Sequence, residues 1–133
     1  MPEKHVAHIR VRSYELDSFG HVNNAVYLQY LEYARCEYMR QRELSFNDFK
    51  KWNATPYVVQ VEIQYKSSSR ADDELQIEAI ISEWGRGSFV MDYTVFNQTT
   101  SKMAATAQMK FAFVNSDEKI IAIPETFRRA MGG

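Results

Sequence analysis

The most informative stretch of the sequence is Asp17-Ser18-Phe19-Gly20-His21-Val22-Asn23-Asn24, which places a carboxylate, a flexible glycine, an imidazole and a strong helix cap within eight residues. The chain continues as Ala25-Val26-Tyr27-Leu28-Gln29-Tyr30-Leu31-Glu32-Tyr33-Ala34-Arg35, which contains good helix formers and neither Gly nor Pro. An asparagine before such a run is a strong N-cap. We therefore predict a helix that begins at Asn23 or Asn24, directly after a short loop around Gly20.

The start of this helix has the chemistry of an anion site. Its first turn leaves backbone N–H groups without intrahelical acceptors and carries the positive end of the helix dipole. If the loop folds back over the helix start, a substrate carbonyl can rest on the N–H groups near Asn24 while Asp17 attacks it or activates a water. The same residues also suit an ordinary turn followed by a helix cap, so the spacing alone leaves both interpretations open.

Residues 14–35, read as YELDSFGHVNNAVYLQYLEYAR, resemble the signature of the hotdog-fold acyl thioesterases. The segment is closest to the 4-hydroxybenzoyl-CoA thioesterase family and also resembles the acyl-ACP thioesterases. The resemblance implies that Asp17 is the catalytic carboxylate and that the Asn24 backbone N–H polarises the thioester carbonyl. His21 matches a position that is His in one subgroup of the family, and it is our third candidate catalytic residue.

The candidates for substrate binding are residues of the loop and helix start, together with basic residues near predicted turns: Gly20, Asn23, Tyr27, Lys66, Arg70 and Arg86. The first three surround the predicted catalytic residues. The three basic side chains are candidates for the phosphates of CoA. Arg86 lies between two glycines, so the alternative interpretation is that it is only part of a hairpin turn.

Period-two alternation of apolar residues predicts five strands. Their apolar positions are Ala7, Ile9 and Val11; Val59, Val61, Ile63 and Tyr65; Leu75, Ile77, Ala79 and Ile81; Phe89, Met91, Tyr93 and Val95; and Met103, Ala105, Ala107, Met109, Phe111 and Phe113. Short turns between the last four strands indicate an antiparallel, meander-like sheet, in which we expect the second strand to be half-buried. We also predict a short helix over residues 47–52, a small strand over 119–123 and a turn of helix over 124–131.

The helix carries apolar or aromatic side chains around much of its circumference, which favours a helix wrapped by the sheet. The predicted class is α+β with a hotdog fold, an antiparallel β-sheet around a long central α-helix, forming one domain over residues 1–133. An exposed sheet edge invites pairing with another chain. As the family resemblance also implies, we expect a homodimer or homotetramer with the acyl site between subunits.

The composition of the chain argues against several other functional classes of protein. The 133 residues are 45% hydrophobic, enough for one core, and 16 basic against 17 acidic side chains give a net charge of −1 without a basic block. Nucleic-acid binding is therefore not expected. The first ten residues lack the apolar run of a signal peptide or membrane span, so we expect a cytoplasmic protein without a membrane partner. The three histidines and the lone Cys36 form no metal or disulfide pattern, and we expect neither a metal nor a cofactor.

The predicted reaction is hydrolysis of an acyl-CoA or acyl-ACP thioester, with Asp17 as nucleophile or general base. One alternative is a non-catalytic hotdog module that binds acyl thioesters and uses Asp17 only as a turn residue. Another is a hotdog dehydratase of hydroxyacyl thioesters, for which His21 and Glu32 would be the acid–base pair. Glu32 and Arg35 are three residues apart, however, a spacing that favours an ordinary ion pair. The acyl group itself is left open.

Overall fold

The computed structural model describes residues 4–133, so the first three residues of the predicted domain lie outside the described part. Its elements in chain order are β1 (Lys4–Arg10), α1 (Asn24–Gln41), α2 (Phe46–Trp52), β2 (Thr55–Tyr65), β3 (Glu74–Trp84), β4 (Ser88–Asn97), β5 (Lys102–Val114) and α3 (Glu125–Ala130). The predicted α+β class, the five strands and the three helices are confirmed. Within the described part, no helix is long and apolar enough to cross a membrane.

The five strands form one antiparallel sheet in the order β1-β3-β4-β5-β2. Only β3, β4 and β5 follow one another as a meander, so the predicted meander is wrong for β2, which pairs with β5 at the far edge. The connection over residues 66–73 therefore has to cross from one side of the sheet to the other. On its way it accepts backbone hydrogen bonds from Val22 at Ser69 and from Val11 at Asp73. This crossing places the connection beside the start of α1.

Helix α1 lies on the sheet with one buried stripe. The buried residues follow a spacing of three and four: Tyr27, Tyr30, Leu31, Ala34, Tyr38 and Met39. Such spacing is typical of a helix that packs on one side only. Leu28 and Tyr33, on the other sides, are exposed. The sheet of this chain therefore covers the helix from one side, and part of the apolar surface that the sequence places around much of the helix stays exposed.

Strand β2 departs from the predicted half-buried pattern. It is exposed at nearly every position, on both sides of the sheet. The reason is its place at the sheet edge, since the close backbone contacts of α1 are with β1 and β3. A bulge between Val58 and Gln60 also breaks the alternation. Apolar side chains such as Val59 and Val61 are left on an exposed surface.

The C-terminal segment closes the other end of the sheet. The predicted strand over 119–123 is only a single bridge between Ile120 and Val114, because the segment changes partners within a few residues. Its Ile121 N–H donates to β5, whereas its Ile123 N–H donates to the carbonyl of Arg86 in the β3–β4 turn. Helix α3 follows and buries Phe127. This end of the sheet lies beside the C-terminal half of α1, since the hydroxyl of Tyr38 in α1 donates to the carbonyl of Met131, directly after α3.

Candidate active site

The loop before α1 is a tight turn that brings Asp17 next to His21. The Asp17 N–H donates to the His21 carbonyl at 2.7 Å, and the Gly20 N–H donates to the Asp17 carbonyl at 3.1 Å. Gly20 has a φ of +80°, a conformation that favours glycine. The flanking residues Leu16 and Val22 form an antiparallel bridge. The loop is therefore a small, hydrogen-bonded hairpin that ends at the helix start.

The carboxylate of Asp17 is held by the backbone of its own turn. Its Oδ1 atom accepts hydrogen bonds from the N–H of Phe19 at 2.9 Å and from the N–H of His21 at 3.1 Å. Among residues 4–133, no donor reaches the second oxygen, Oδ2. The turn thus explains why an aspartate stands here, and it also orients a carboxylate with one oxygen left for a ligand.

The start of α1 leaves one backbone donor unused. Asn23 is the N-cap, as predicted: its Oδ1 atom accepts from the Ala25 N–H at 2.8 Å, and its carbonyl accepts from the Val26 N–H. The Asn23 N–H itself donates to the carbonyl of Glu15. Over residues 21–26, the Asn24 N–H is the one backbone donor for which the described chain provides no acceptor. This is the group that the sequence predicts to polarise a carbonyl.

These groups border a groove of about 330 Å³, lined by Asp17, His21, Val22, Asn24, Tyr27, Tyr65, Lys66, Ser67 and Ser68. The groove brings together all three catalytic candidates and two of the substrate-binding candidates. Tyr65, which the sequence did not single out, donates from its hydroxyl to the Asn24 carbonyl at 2.9 Å. Its ring also packs edge-on against Tyr27 at 5.5 Å between centroids. The end of β2 therefore forms the wall opposite the helix start.

Four candidates lie outside the lining of this groove. Gly20 is part of the turn beside Asp17, and the Asn23 side chain is engaged as the helix cap. Arg70 is exposed and follows the groove residues along the connection to β3. Arg86 lies in the β3–β4 turn, at the far end of a strand that spans about 30 Å. The structure therefore does not bring Arg86 to the groove of its own chain.

Glu15 is a buried carboxylate behind the helix start, which the sequence analysis missed. Its Oε1 atom accepts from the Tyr30 hydroxyl and from the Arg12 N–H, both at 2.8 Å, and its Oε2 atom accepts from the Arg12 guanidinium at 2.7 Å. Burial opposes ionisation, but these hydrogen bonds outweigh it and hold the pKa of Glu15 below its usual value. The spacing of Arg12 and Glu15, three residues apart, is the signal that could have indicated this pair.

Ser69 forms a second buried anchor, under the first turn of α1. Its hydroxyl accepts hydrogen bonds from the Tyr27 hydroxyl at 3.1 Å and from the Asn97 side chain at 3.2 Å. The same Asn97 amide donates to Asp73 at 2.8 Å. Burial raises the pKa of Tyr27, so its hydroxyl keeps the proton that it donates. This network ties the connection over residues 66–73 to the helix, and no sequence signal distinguishes Ser69 from its serine neighbours.

The acid–base pair of the dehydratase alternative is not formed. The Glu32 side chain is 68% exposed and pairs with Arg35 at 3.5 Å, as its spacing predicts. It lies two turns beyond Asn24, about 12 Å along the helix axis. Cys36 is half-buried against the core, and burial raises the pKa of its thiol. Neither side chain belongs to the lining of the groove.

Comparison with known proteins places these features in a family. A family model described as the thioesterase-like superfamily matches residues 11–131. The long-chain acyl-CoA thioesterase FadM of Escherichia coli is 27% identical over 124 residues, which cover 92% of this chain and 93% of that protein. An acyl-acyl carrier protein thioesterase of Arabidopsis thaliana is 25% identical over 128 residues, which cover 96% of this chain and 67% of that protein.

Comparison with solved structures identifies the fold. A 1,4-dihydroxy-2-naphthoyl-CoA thioesterase from Synechocystis matches with a TM-score of 0.90 at 18% identity, covering 97% of this chain and 96% of the other. The predicted hotdog fold is thereby confirmed. Since the family model spans most of the sequence, this chain belongs to the thioesterase-like superfamily.

Proposed function

We propose that this chain hydrolyses the thioester bond of acyl-CoA or acyl-ACP to a free acid and a thiol. One observation carries the proposal: the unused Asn24 N–H and the carboxylate of Asp17 border the same groove. A thioester carbonyl that accepts from this N–H becomes more electrophilic. The negative charge that develops on its oxygen is stabilised by the donor and by the positive end of the helix dipole.

Asp17 then acts through its Oδ2 atom. As a nucleophile it adds to the carbonyl carbon and expels the thiolate, which takes up a proton, and water hydrolyses the resulting mixed anhydride. As a general base it accepts a proton from a water molecule that attacks the same carbon. Both routes use the oxygen that the turn leaves without a donor.

The thiol-bearing half of the substrate fits the basic side of the groove. Lys66 belongs to the groove lining and Arg70 follows it on the same connection. Both can neutralise phosphates, which CoA and the phosphopantetheine arm of an acyl carrier protein share. The names of the relatives include enzymes for both kinds of carrier. His21 borders the same groove, where we propose that it contacts the substrate beside Asp17.

The exposed edge strand supports a homodimer, or a tetramer built from two such dimers. Strand β2 combines unpaired backbone groups with exposed apolar side chains, among them Val59 at 54% exposure. An edge of this kind favours pairing with a second copy. We expect Val59→Lys to shift the chain towards monomers in analytical ultracentrifugation. Val6→Lys, on the opposite edge strand, is the matched control, and an association state that ignores Val59→Lys would contradict this interface.

Thiol release tests the proposed reaction. The native chain is incubated with a panel of short, long and aromatic acyl-CoAs and with one acyl-ACP, and free thiol and free acid are measured together. Hydrolysis releases both in equal amounts. A 3-hydroxyacyl-CoA in the same panel tests the dehydratase alternative, because its conversion to an enoyl product without thiol release would indicate a dehydratase.

A binding module is the second candidate function, because the turn alone accounts for the hydrogen bonds of Asp17. Binding of an acyl-CoA without any turnover would favour it over hydrolysis.

A single domain over residues 1–133 belongs to the same proposal, with the sheet, α1 and the tail sharing one core. A cytoplasmic location and the absence of nucleic-acid, membrane and cofactor partners stay predictions.

A further inference from the structure

Arg35 is a partly buried cation outside the site described above. Its side chain is 14% exposed, and its guanidinium lies 4.9 Å from the ring centroid of Phe111. Its Nη1 atom donates to the Tyr93 hydroxyl oxygen at 3.4 Å and to the Met109 sulfur at 3.8 Å. Over residues 4–133, its one anionic partner is the exposed Glu32, at 3.5 Å. In the described part of the chain, this cation has only long or neutral contacts.

This environment leaves the guanidinium able to bind a further acceptor. A buried charge is costly unless it is paired and hydrogen-bonded, and a well-formed guanidinium–carboxylate bond is about 2.7–2.9 Å long. The contacts of Arg35 are all longer than this. A guanidinium has five N–H donors, so several remain available. The face of Phe111 offsets part of the cost of burial but uses none of the donors.

An apolar strip joins Arg35 to the helix start. Asn24, Leu28 and Arg35 are spaced by four and seven residues, so they lie on one edge of α1 over about 16 Å. Across from this edge, β2 and β5 present Val61 and Ala107 on the same side of the sheet as the contacts of Arg35. Leu28 and Val61 are each 39% exposed. The helix therefore leaves the middle of this strip exposed, at Leu28 and Val61, between the unused N–H and the partly buried guanidinium.

We propose that Arg35 selects the acyl group of the substrate. The acyl chain lies along this strip with its carbonyl at Asn24, and its far end carries an oxygen acceptor, a carboxylate or a hydroxyl, that binds the guanidinium. Helical side chains lean towards the N-terminus, which brings the guanidinium closer than its backbone. An extended chain advances about 3.5 Å for every three bonds, and the hydrogen bonds at its two ends add about 3 Å each, so an acyl group of about eight to twelve carbons with a terminal oxygen spans about 15–20 Å. This inference rests on the proposed thioesterase function.

Selectivity at the far end of the acyl chain tests the proposal. The substrates are decanoyl-CoA and its ω-hydroxy and ω-carboxy counterparts, while butanoyl-CoA, too short to reach Arg35, reports on hydrolysis itself. We expect the native chain to prefer an oxygen-terminated substrate over decanoyl-CoA. In Arg35→Met the ratio of the two kcat/KM values should fall roughly tenfold or more, the size of one charge-assisted hydrogen bond. The two oxygen-terminated substrates distinguish a carboxylate from a hydroxyl.

Two further variants show whether a change in this ratio is due to the guanidinium of Arg35. Arg40→Met removes an exposed arginine of the same helix, one that pairs with Glu37, and should leave the ratio unchanged. Arg35→Lys keeps the charge and the aliphatic stem but loses the planar fork, so it should lower the ratio even if Arg35→Met does not fold. Calorimetric binding of decanedioic acid gives a readout that needs no turnover, and it should weaken in both Arg35 variants.

The outcomes separate this inference from the proposed function. Hydrolysis of butanoyl-CoA with an unchanged ratio in both Arg35 variants would overturn the role of Arg35 and leave the thioesterase standing. An unchanged ratio together with a loss of the dimer would assign Arg35 to subunit association instead, which also overturns its role in selecting the acyl group. If no thioester is hydrolysed, the proposed function fails, and decanedioic acid that binds the native chain and both variants equally would overturn the inference as well.

Discussion

Replacement of Glu15 by glutamine tests whether the buried carboxylate holds the catalytic loop and the helix start together. Glu15 is 6% exposed and accepts three hydrogen bonds, two at Oε1 and one at Oε2. Glutamine keeps the shape and one acceptor oxygen, but its amide group turns donors towards the guanidinium of Arg12. The substitution therefore removes the charge without opening a cavity.

The expected loss of stability follows from these contacts. A hydrogen bond to a charged group contributes about 1.5–3 kcal/mol and a neutral one about 1 kcal/mol. The bonds from the Tyr30 hydroxyl and the Arg12 N–H thus lose about 1 kcal/mol each. The guanidinium pair adds less than 1 kcal/mol, because the Arg12 side chain is 46% exposed. We expect the free energy of unfolding at pH 7 to fall by about 2–3 kcal/mol in urea titrations.

The stability difference between the native chain and Glu15→Gln should also depend on pH. The pKa of Glu15 is lowered from its usual value of 4.5 in the folded chain, so its stabilisation is fully present above that value and is lost as the pH falls through the lowered pKa. The difference between the native chain and Glu15→Gln should therefore be largest at pH 7 and shrink below pH 4.5. Glu125→Gln, in an exposed pair with Arg129, should cost less than about 0.5 kcal/mol throughout. A loss below 1 kcal/mol at pH 7, or one independent of pH, would refute this role for Glu15.

Three further substitutions probe other parts of the site. Gly20→Ala meets no atom within 4 Å but strains a φ of +80°, so unfolding should become easier by about 1–2 kcal/mol and kcat for butanoyl-CoA should fall, whereas unchanged stability would contradict the turn geometry. Ser69→Ala removes the acceptor of two buried donors and should cost about 2 kcal/mol in urea titrations, and a cost below 0.5 kcal/mol would argue against the anchor. Lys66→Met should raise the KM for acyl-CoA more at low salt than at high salt with kcat retained, and an effect that ignores salt would remove Lys66 from phosphate binding.

The parts of the molecule that could be predicted from the sequence depend on neighbours in the chain. The cap at Asn23 and the turn from Asp17 to Gly20 are made by hydrogen bonds between residues at most a few positions apart. Strands β3 and β4 alternate cleanly because both lie inside the sheet with one face on the core. Because these features depend only on nearby residues or on one buried face, the residue pattern of each segment is sufficient to predict its structure.

The parts that could not be predicted depend on partners distant in the sequence. Strand β2 shows the alternation of a half-buried strand, but its place at the edge is decided by pairing with β5, about fifty residues away. Ser69 is buried because Tyr27 and Asn97, on two other elements, meet above it. Arg86 and Lys66 are both basic residues near predicted turns, and only the arrangement of the sheet shows that they lie at different ends. Period and residue type carry no information on these arrangements.

The most direct test of the central claim is thiol release from acyl-CoA by Asp17→Asn beside Asp72→Asn. Asparagine keeps an Oδ1 acceptor for the turn, so the variant should fold, which circular dichroism checks. Asp72 is an exposed aspartate with positive φ, a conformation that asparagine tolerates, and its variant serves as the matched control. We expect Asp17→Asn to lose kcat by about a hundredfold or more, while Asp72→Asn stays within about twofold of the native chain. Full turnover by a folded Asp17→Asn variant would contradict the catalytic role of this carboxylate.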